Sequence, residues 1–207
     1  VETFHSLALK IITSTYGYGK YKVWTASWEK EKALKEICCD LLGLCRNKDD
    51  VPYNGILRFL GIQKTNMLRS TDDLIYSDDD PYPDDRMKKI YKMYEDYKKD
   101  KSYIEFDDFL NMANQCFDKF PDILKFYQNK YLYVLSDEFQ DVSMAQSLIL
   151  KRINNKNTMI VGDPLQAIYS FRGGRSEYIM QFDQDYSDVK IVHLNTNYRC
   201  STDIVRM

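Results

Sequence analysis

The fold turns on YLYVLSDEFQD, residues 131–141, where an apolar run at 131–135 delivers Asp137, Glu138 and Asp141 at its carboxyl end. A short apolar run that stops at a cluster of acids reads as a strand leading into a functional loop. Two further runs, 158–161 and 190–194, follow at the spacing of strand, crossover helix and parallel strand. Between the first two, residues 144–153 carry a helical pattern that Ser143 can cap, and between the last two Ser176 can cap a helical stretch at 177–182. The expectation is an α/β fold with a parallel sheet covered by helices. In such a sheet the residues just after each strand share one edge, where ligands bind.

An acidic pair at a strand end suits magnesium-nucleotide hydrolysis. One carboxylate, Asp137, serves the metal, and the second, Glu138, orients the attacking water or takes its proton. The alternative is that either acid merely caps the next helix. The second strand end opens VGDPLQAIYSFRGG, residues 161–174. Its Gln166 can bond a phosphate oxygen or the attacking water, while Tyr169 and Phe171 offer flat faces for stacked bases beside Arg172. Because Gln166 and Tyr169 are three residues apart, one element can touch nucleotide at one end and a nucleic-acid strand at the other. Core packing is the plain alternative for the two aromatics. After the third run, NTNYRC at 195–200 supplies Arg199 for charge on a transferred phosphoryl group and Tyr198 for stacking on an adenine.

The middle of the chain has another character. Residues 28–44 and 86–99 are helical in pattern, with Ile90, Met93, Tyr94 and Tyr97 at three-to-four spacing. Residues 71–85, rich in aspartate with Pro81 and Pro83, read as a solvated loop. Residues 21–102 are therefore expected to form an all-α insertion, between a start at 1–20 and a remainder at 103–207 of one α/β domain.

Composition narrows the function classes. The net charge of −2, from 29 basic and 31 acidic residues, gives no globally basic surface, so any nucleic-acid contact is local. Five irregularly spaced cysteines and two histidines support neither a disulfide framework nor a zinc site. No apolar stretch approaches the roughly 20 residues that span a bilayer. Reduced thiols and the lack of a signal-like apolar start point to a soluble, cytoplasmic protein without a membrane partner.

The ordered set DEFQD, VGDPLQAIYSFRGG and LNTNYRC resembles motifs II, III and IV of the UvrD/Rep/PcrA helicases of superfamily 1. The opening Thr3-Phe4-His5-Ser6 is similar to their motif Ib, and YIEFDDFL at 103–110 to their DFDDL segment. The glutamine of DEFQD argues against the DEAD-box RNA helicases. The resemblance implies a partial RecA-like (P-loop NTPase) domain with a 1B-like insertion, in an ATP- and Mg2+-dependent helicase or translocase. Its partner would be single-stranded DNA or a duplex/single-strand junction, traversed 3′ to 5′. It assigns Asp137 to magnesium, Glu138 to general base catalysis and Gln166 to the γ-phosphate. Tyr198 would stack on adenine, Arg199 would meet the γ-phosphate, and Thr3, Phe4, His5, Tyr169, Phe171 and Arg172 would line the DNA path. It gives Asp107 and Asp108 no chemistry, and helix capping is the simpler account of them. Many relatives have acids where this chain has Pro164 and Leu165, and some have tryptophan in place of Phe171.

Phosphate binding in this fold needs a glycine-rich loop ending in Gly-Lys-Ser/Thr. The nearest imitation, residues 14–21, lacks the first glycine and follows Gly19-Lys20 with Tyr21. The expectation is a chain that starts downstream of that loop and is inactive alone. Alternative readings are a non-catalytic DNA- or protein-binding module on the same fold, or the motor part of a helicase-nuclease.

Overall fold

The computed structural model describes residues 1–82, 84–154, 157–168, 174–186 and 188–205. Helix α1 (Phe4–Tyr16) starts at Thr3, whose hydroxyl accepts from Ser6 N at 3.2 Å. Such a cap satisfies one of the donors that a helix start leaves without an intrahelical partner. Leu7, Ala8, Ile11 and Ile12 form the buried stripe of α1. Strand β1 (Lys22–Val23) then leads into a helical region. Helix α2 (Ser27–Lys35) runs into a wide π turn, Glu36–Leu41, closed by Leu42 N donating to Ile37 O. Helices α3 (Tyr53–Thr65) and α4 (Asp85–Lys101) follow, and α4 ends on Ser102 in the left-handed conformation, φ 54°. Residues 72–82 between them hold no helix or strand, and Pro81 packs on Gly55.

Strand β2 (Tyr103–Ile104) pairs in parallel with β1, with Lys22 opposite Tyr103 and Val23 opposite Ile104. The chain thus leaves and re-enters the α/β part at one point. The helical region has its own core, including Trp24, Leu34, Ile56, Phe59, Leu60, Met87, Ile90 and Tyr94. A second core unites α1 with α5 (Phe106–Lys119), α6 (Pro121–Lys130) and α7 (Met144–Ile153) through Ile11, Ile12, Phe109, Ala113, Phe117, Tyr127 and Ile149. Both ends of α7 suit a crossover helix. Ser143 and Gln146 form a reciprocal capping box at its start, and Lys151 and Arg152 lie in its last turn. Helix α7 joins β3 (Val134–Ser136) to the parallel β4 (Thr158–Ile160), with Val134, Leu135 and Ser136 opposite Thr158, Met159 and Ile160. Short helices α8 (Glu177–Met180), α9 (Phe182–Asp185) and α10 (Thr202–Val205) complete the described elements.

Charge is buried where the helical region meets α5. Lys64 Nζ on α3 lies 2.8 Å from Asp108, 2.9 Å from Glu95 and 3.1 Å from Glu105, and Lys98 Nζ on α4 lies 2.6, 2.8 and 3.2 Å from the same three acids. Lys30 reaches Glu105 at 2.8 Å, and Tyr94 donates its hydroxyl hydrogen to Glu105 Oε1 at 3.0 Å. Glu105 and Asp108 also form the capping box of α5, so one pair of acids both starts a helix and neutralises two buried lysines. The three carboxylates come close enough together to suggest a metal site. Two ammonium groups fill that space instead, so the cluster is an ionic joint.

Three expectations need correction. Residues 190–194 form no strand: Ile191, Val192 and Leu194 are 64, 68 and 87% exposed. An apolar run becomes a strand only when a sheet edge and a covering layer reward its burial, and these residues gain neither. The region 21–102 is not purely helical, because β1 lies at its root. Ser176 provides no side-chain cap for α8; its carbonyl accepts from Ile179 N and Met180 N instead. Among the described residues, no helix is long and apolar enough to cross a membrane.

Candidate functional site

Strand β3 ends on the buried Ser136, and the next two residues, Asp137 and Glu138, are exposed. Glu138 adopts the left-handed conformation, φ 50° and ψ 42°. That conformation costs a residue with a Cβ roughly 1–2 kcal/mol, so it persists only where the surroundings hold it. Asp137 Oδ1 accepts from Glu138 N at 2.9 Å, Phe139 N donates to Val161 O at 2.9 Å, and Glu138 O accepts from Asp141 N at 3.0 Å. The sharp turn leaves both carboxylates in solvent while Phe139 and Gln140 enter the core, each 2% exposed.

The second strand end meets this turn closely. A Cβ on Gly162 would lie 2.4 Å from Gln140 Oε1, 2.9 Å from Ile179 Cδ1 and 3.0 Å from Phe139 N, so only glycine fits there. Beyond it, Asp163 N donates to Gln140 Oε1 at 3.1 Å. Asp163 then caps the short turn Pro164–Gln166, Oδ1 accepting from Leu165 N at 3.0 Å and Oδ2 from Gln166 Nε2 at 2.8 Å. On the other side, Gln140 Nε2 donates to Glu138 Oε2 at 2.6 Å. A continuous hydrogen-bonded chain therefore runs Glu138, Gln140, Asp163, Gln166. Asp141 Oδ1 adds a further tie by accepting from Ile168 N at 3.3 Å.

The donor set fits a small hard cation. Asp137 offers an exposed carboxylate whose Oδ2 meets no hydrogen-bond donor among the described residues, beside the carboxylate of Glu138. Oxygen ligands at a strand end are what magnesium takes, with water or phosphate completing its shell.

The structure brings together Asp137, Glu138 and Gln166. It does not bring Tyr198 or Arg199 to them. Asn197 Oδ1 accepts from Arg199 N and Cys200 N at 2.9 Å each, a local turn, and Tyr198 is 93% exposed. Tyr169, Phe171 and Arg172 lie outside the described residues. At the amino end, Thr3 caps α1, Phe4 packs against two cores, and His5 meets Phe106 edge-on at 6.3 Å between ring centroids. Burial lowers the pKa of His5 below 6.5, against the opposing charge of Asp107.

Sequence reasoning missed Gln140 and Asp163 as the link between the two strand ends. A signal was present: a polar amide in an otherwise apolar turn after the acidic pair, and a glycine at the end of the neighbouring strand. Pattern alone does not show that the two meet.

A family profile described as the UvrD/REP helicase N-terminal domain matches residues 1–187. The chain is 31% identical to a protein named DNA helicase II from Rickettsia typhi, over 99% of this chain and 32% of that one. It is 29% identical to the ATP-dependent DNA helicase PcrA of Leuconostoc citreum, over 99% of this chain and 27% of the relative. Identity rises to 33% with PcrA of Bacillus subtilis, over 60% of this chain and 17% of the relative. The chain thus spans about a third or less of the length of these curated relatives.

Proposed function

Because this chain belongs to the UvrD/REP helicase N-terminal domain family, we propose that it is part of an ATP-dependent motor acting on single-stranded DNA or a duplex/single-strand junction. The observation that carries this reading is the hydrogen-bonded continuity of the exposed acidic pair with Gln166 at one end of the β3–β4 pair. Asp137 holds magnesium, directly or through its waters. Glu138 accepts the proton of the attacking water, and Gln166 donates to a γ-phosphate oxygen. Bound Mg2+ supplies charge neutralisation on the phosphates. Tyr198 stacks on the adenine and Arg199 meets the γ-phosphate, roles supported by the resemblance of LNTNYRC to the family's motif. Tyr169, Phe171 and Arg172, with Thr3, Phe4 and His5, contact the DNA strand. Residues 21–102 serve as the insertion subdomain, a reading supported by their separate core and by the β1–β2 pairing at their root.

This sequence contains no Gly-Lys-Ser/Thr loop, so the test uses the complete protein that carries this chain. Glu138→Gln is expected to keep ATP binding and to lose DNA-stimulated hydrolysis, since an amide cannot accept the proton. The measurements are nucleotide affinity by equilibrium titration and phosphate release with single-stranded DNA. Undiminished turnover in Glu138→Gln would remove Glu138 from its role.

A further inference from the structure

We propose that Gln140 is a positioning residue for hydrolysis, its buried amide fixing the Glu138 carboxylate and joining it to the turn that carries Gln166. This inference rests on the reading of Glu138 as the base.

Gln140 is 2% exposed, and both ends of its amide are committed to different chain segments. Nε2 donates to Glu138 Oε2 at 2.6 Å, and Oε1 accepts from Asp163 N at 3.1 Å. A buried amide generally finds partners because leaving it unpaired is costly. That need accounts for both bonds from the side of Gln140, since its buried Nε2 requires an acceptor as its Oε1 requires a donor. Glu138 itself has no such need, because its exposed carboxylate has water available. The consequence of the bond between them is orientation: an exposed glutamate, otherwise free to change rotamer, is tied at one oxygen to a side chain locked in the core.

The lock is tight. Phe139 on one side is fully packed against Val142, Leu150 and Phe182, and the missing side chain of Gly162 leaves room for Gln140 Oε1 on the other. Asp163, the next residue in the relay, carries Gln166 on its carboxylate at 2.8 Å. The Gln166 turn, Asp163 N, the amide of Gln140 and Oε2 of Glu138 are therefore held in one bonded arrangement. Catalytic groups held this way lose efficiency when freed, because a displacement of about 1 Å from the productive geometry can cost on the order of 100-fold in rate.

The test compares Gln140→Met and Gln140→Glu in the complete protein. Methionine matches the length but has no donor or acceptor of comparable strength. Glutamate keeps the acceptor for Asp163 N and loses the donor to Glu138. Both are expected to lower kcat for DNA-stimulated ATP hydrolysis by roughly 10- to 100-fold, with KM for ATP and the Kd for oligodeoxythymidine within about twofold of the parent. Because Gln140 acts through Glu138, adding Gln140→Met to Glu138→Gln should lower the residual turnover no further. A kcat within twofold of the parent in both variants overturns the proposal, as does an additive loss in the double variant. Full turnover in Glu138→Gln alone removes the underlying reading, a different outcome. Should either Gln140 variant fail to fold, side-chain amide exchange in the parent decides. Slow exchange of one Gln140 Nε2 proton, lost in Glu138→Ala, supports the bond, and fast exchange in the parent overturns it.

Discussion

Replacing Asp108 by asparagine keeps the side chain's shape while removing one charge from the ionic joint between the helical region and α5. The joint holds three ammonium groups, Lys30, Lys64 and Lys98, against the carboxylates of Glu95, Glu105 and Asp108. The side chains of Lys64 and Lys98 are only 4 and 3% exposed. After the substitution, two buried ammonium groups share two carboxylates, one of them 37% exposed. Breaking a buried pair by removing one partner costs about 3–5 kcal/mol. The lower end applies here, since Glu95 and Glu105 still reach both lysines, and about 3 kcal/mol in a domain of this size lowers Tm by roughly 6–12 °C. The exposed pair of Lys92 and Asp96, at 2.7 Å, is the control. Asp96→Asn should cost about 0.5 kcal/mol or less. Trp24 is a local reporter: it is 3% exposed, stacks on Tyr94, Tyr97 and Tyr103, and lies 6.0 Å from Lys30 Nζ. Urea unfolding followed by its emission, in a Trp28→Phe background, reads the loss directly. The pH dependence follows from the same contacts. Burial pushes the Glu105 and Asp108 carboxyls up, but Lys64 and Lys98 outweigh it and hold both below their ordinary values of 4.5 and 3.8. Their contribution is complete above those values and is lost as pH falls through the lowered folded ones. Asp108→Asn should accordingly flatten the acid limb below about pH 4. A loss under about 1 kcal/mol, or an unchanged acid limb, would refute the assignment of this joint as a stabilising pairing.

Two further outcomes are accessible to the isolated chain. Ser143→Ala removes the hydroxyl that accepts from Gln146 N and breaks the capping box of α7; it should cost about 1 kcal/mol in denaturant unfolding, and an unchanged midpoint would argue against the box. His5, followed by proton NMR, should titrate below 6.5, and Asp107→Asn should lower its midpoint further, because burial lowers it while Asp107 opposes the shift. The fold then favours neutral His5, so its contribution is present above about pH 6.5 and shrinks as pH falls through that range.

Much of the α/β part was legible because local chemistry is repeated in the fold. The apolar run before DEFQD became β3, residues 158–160 became β4, and Ser143 before an apolar period became a capped α7 running from Met144 to Ile153. The long helix near 86–99 appeared as α4, since Ile90, Tyr91 and Tyr94 recur on one face with Asp84 to cap it. The candidate site was legible only in part. Acids at a strand end announce themselves, whereas Gln140 and Asp163 acquire their part only through a neighbour 23 residues away.

What the sequence determined by itself, then, is the order of strand, crossover helix and strand, and the acid and amide residues at the strand ends. Tertiary structure alone decided three other matters. It left residues 190–194 unpaired, because a short apolar run gains its free energy as a strand only from a partner edge. It set β1 against β2, a pairing of two-residue segments too short to register as pattern. It also gave Asp108, which does cap α5, a second part as one of three carboxylates in a buried ionic joint, because Lys64 and Lys98 come from two other helices and only folding brings their ammonium groups to it.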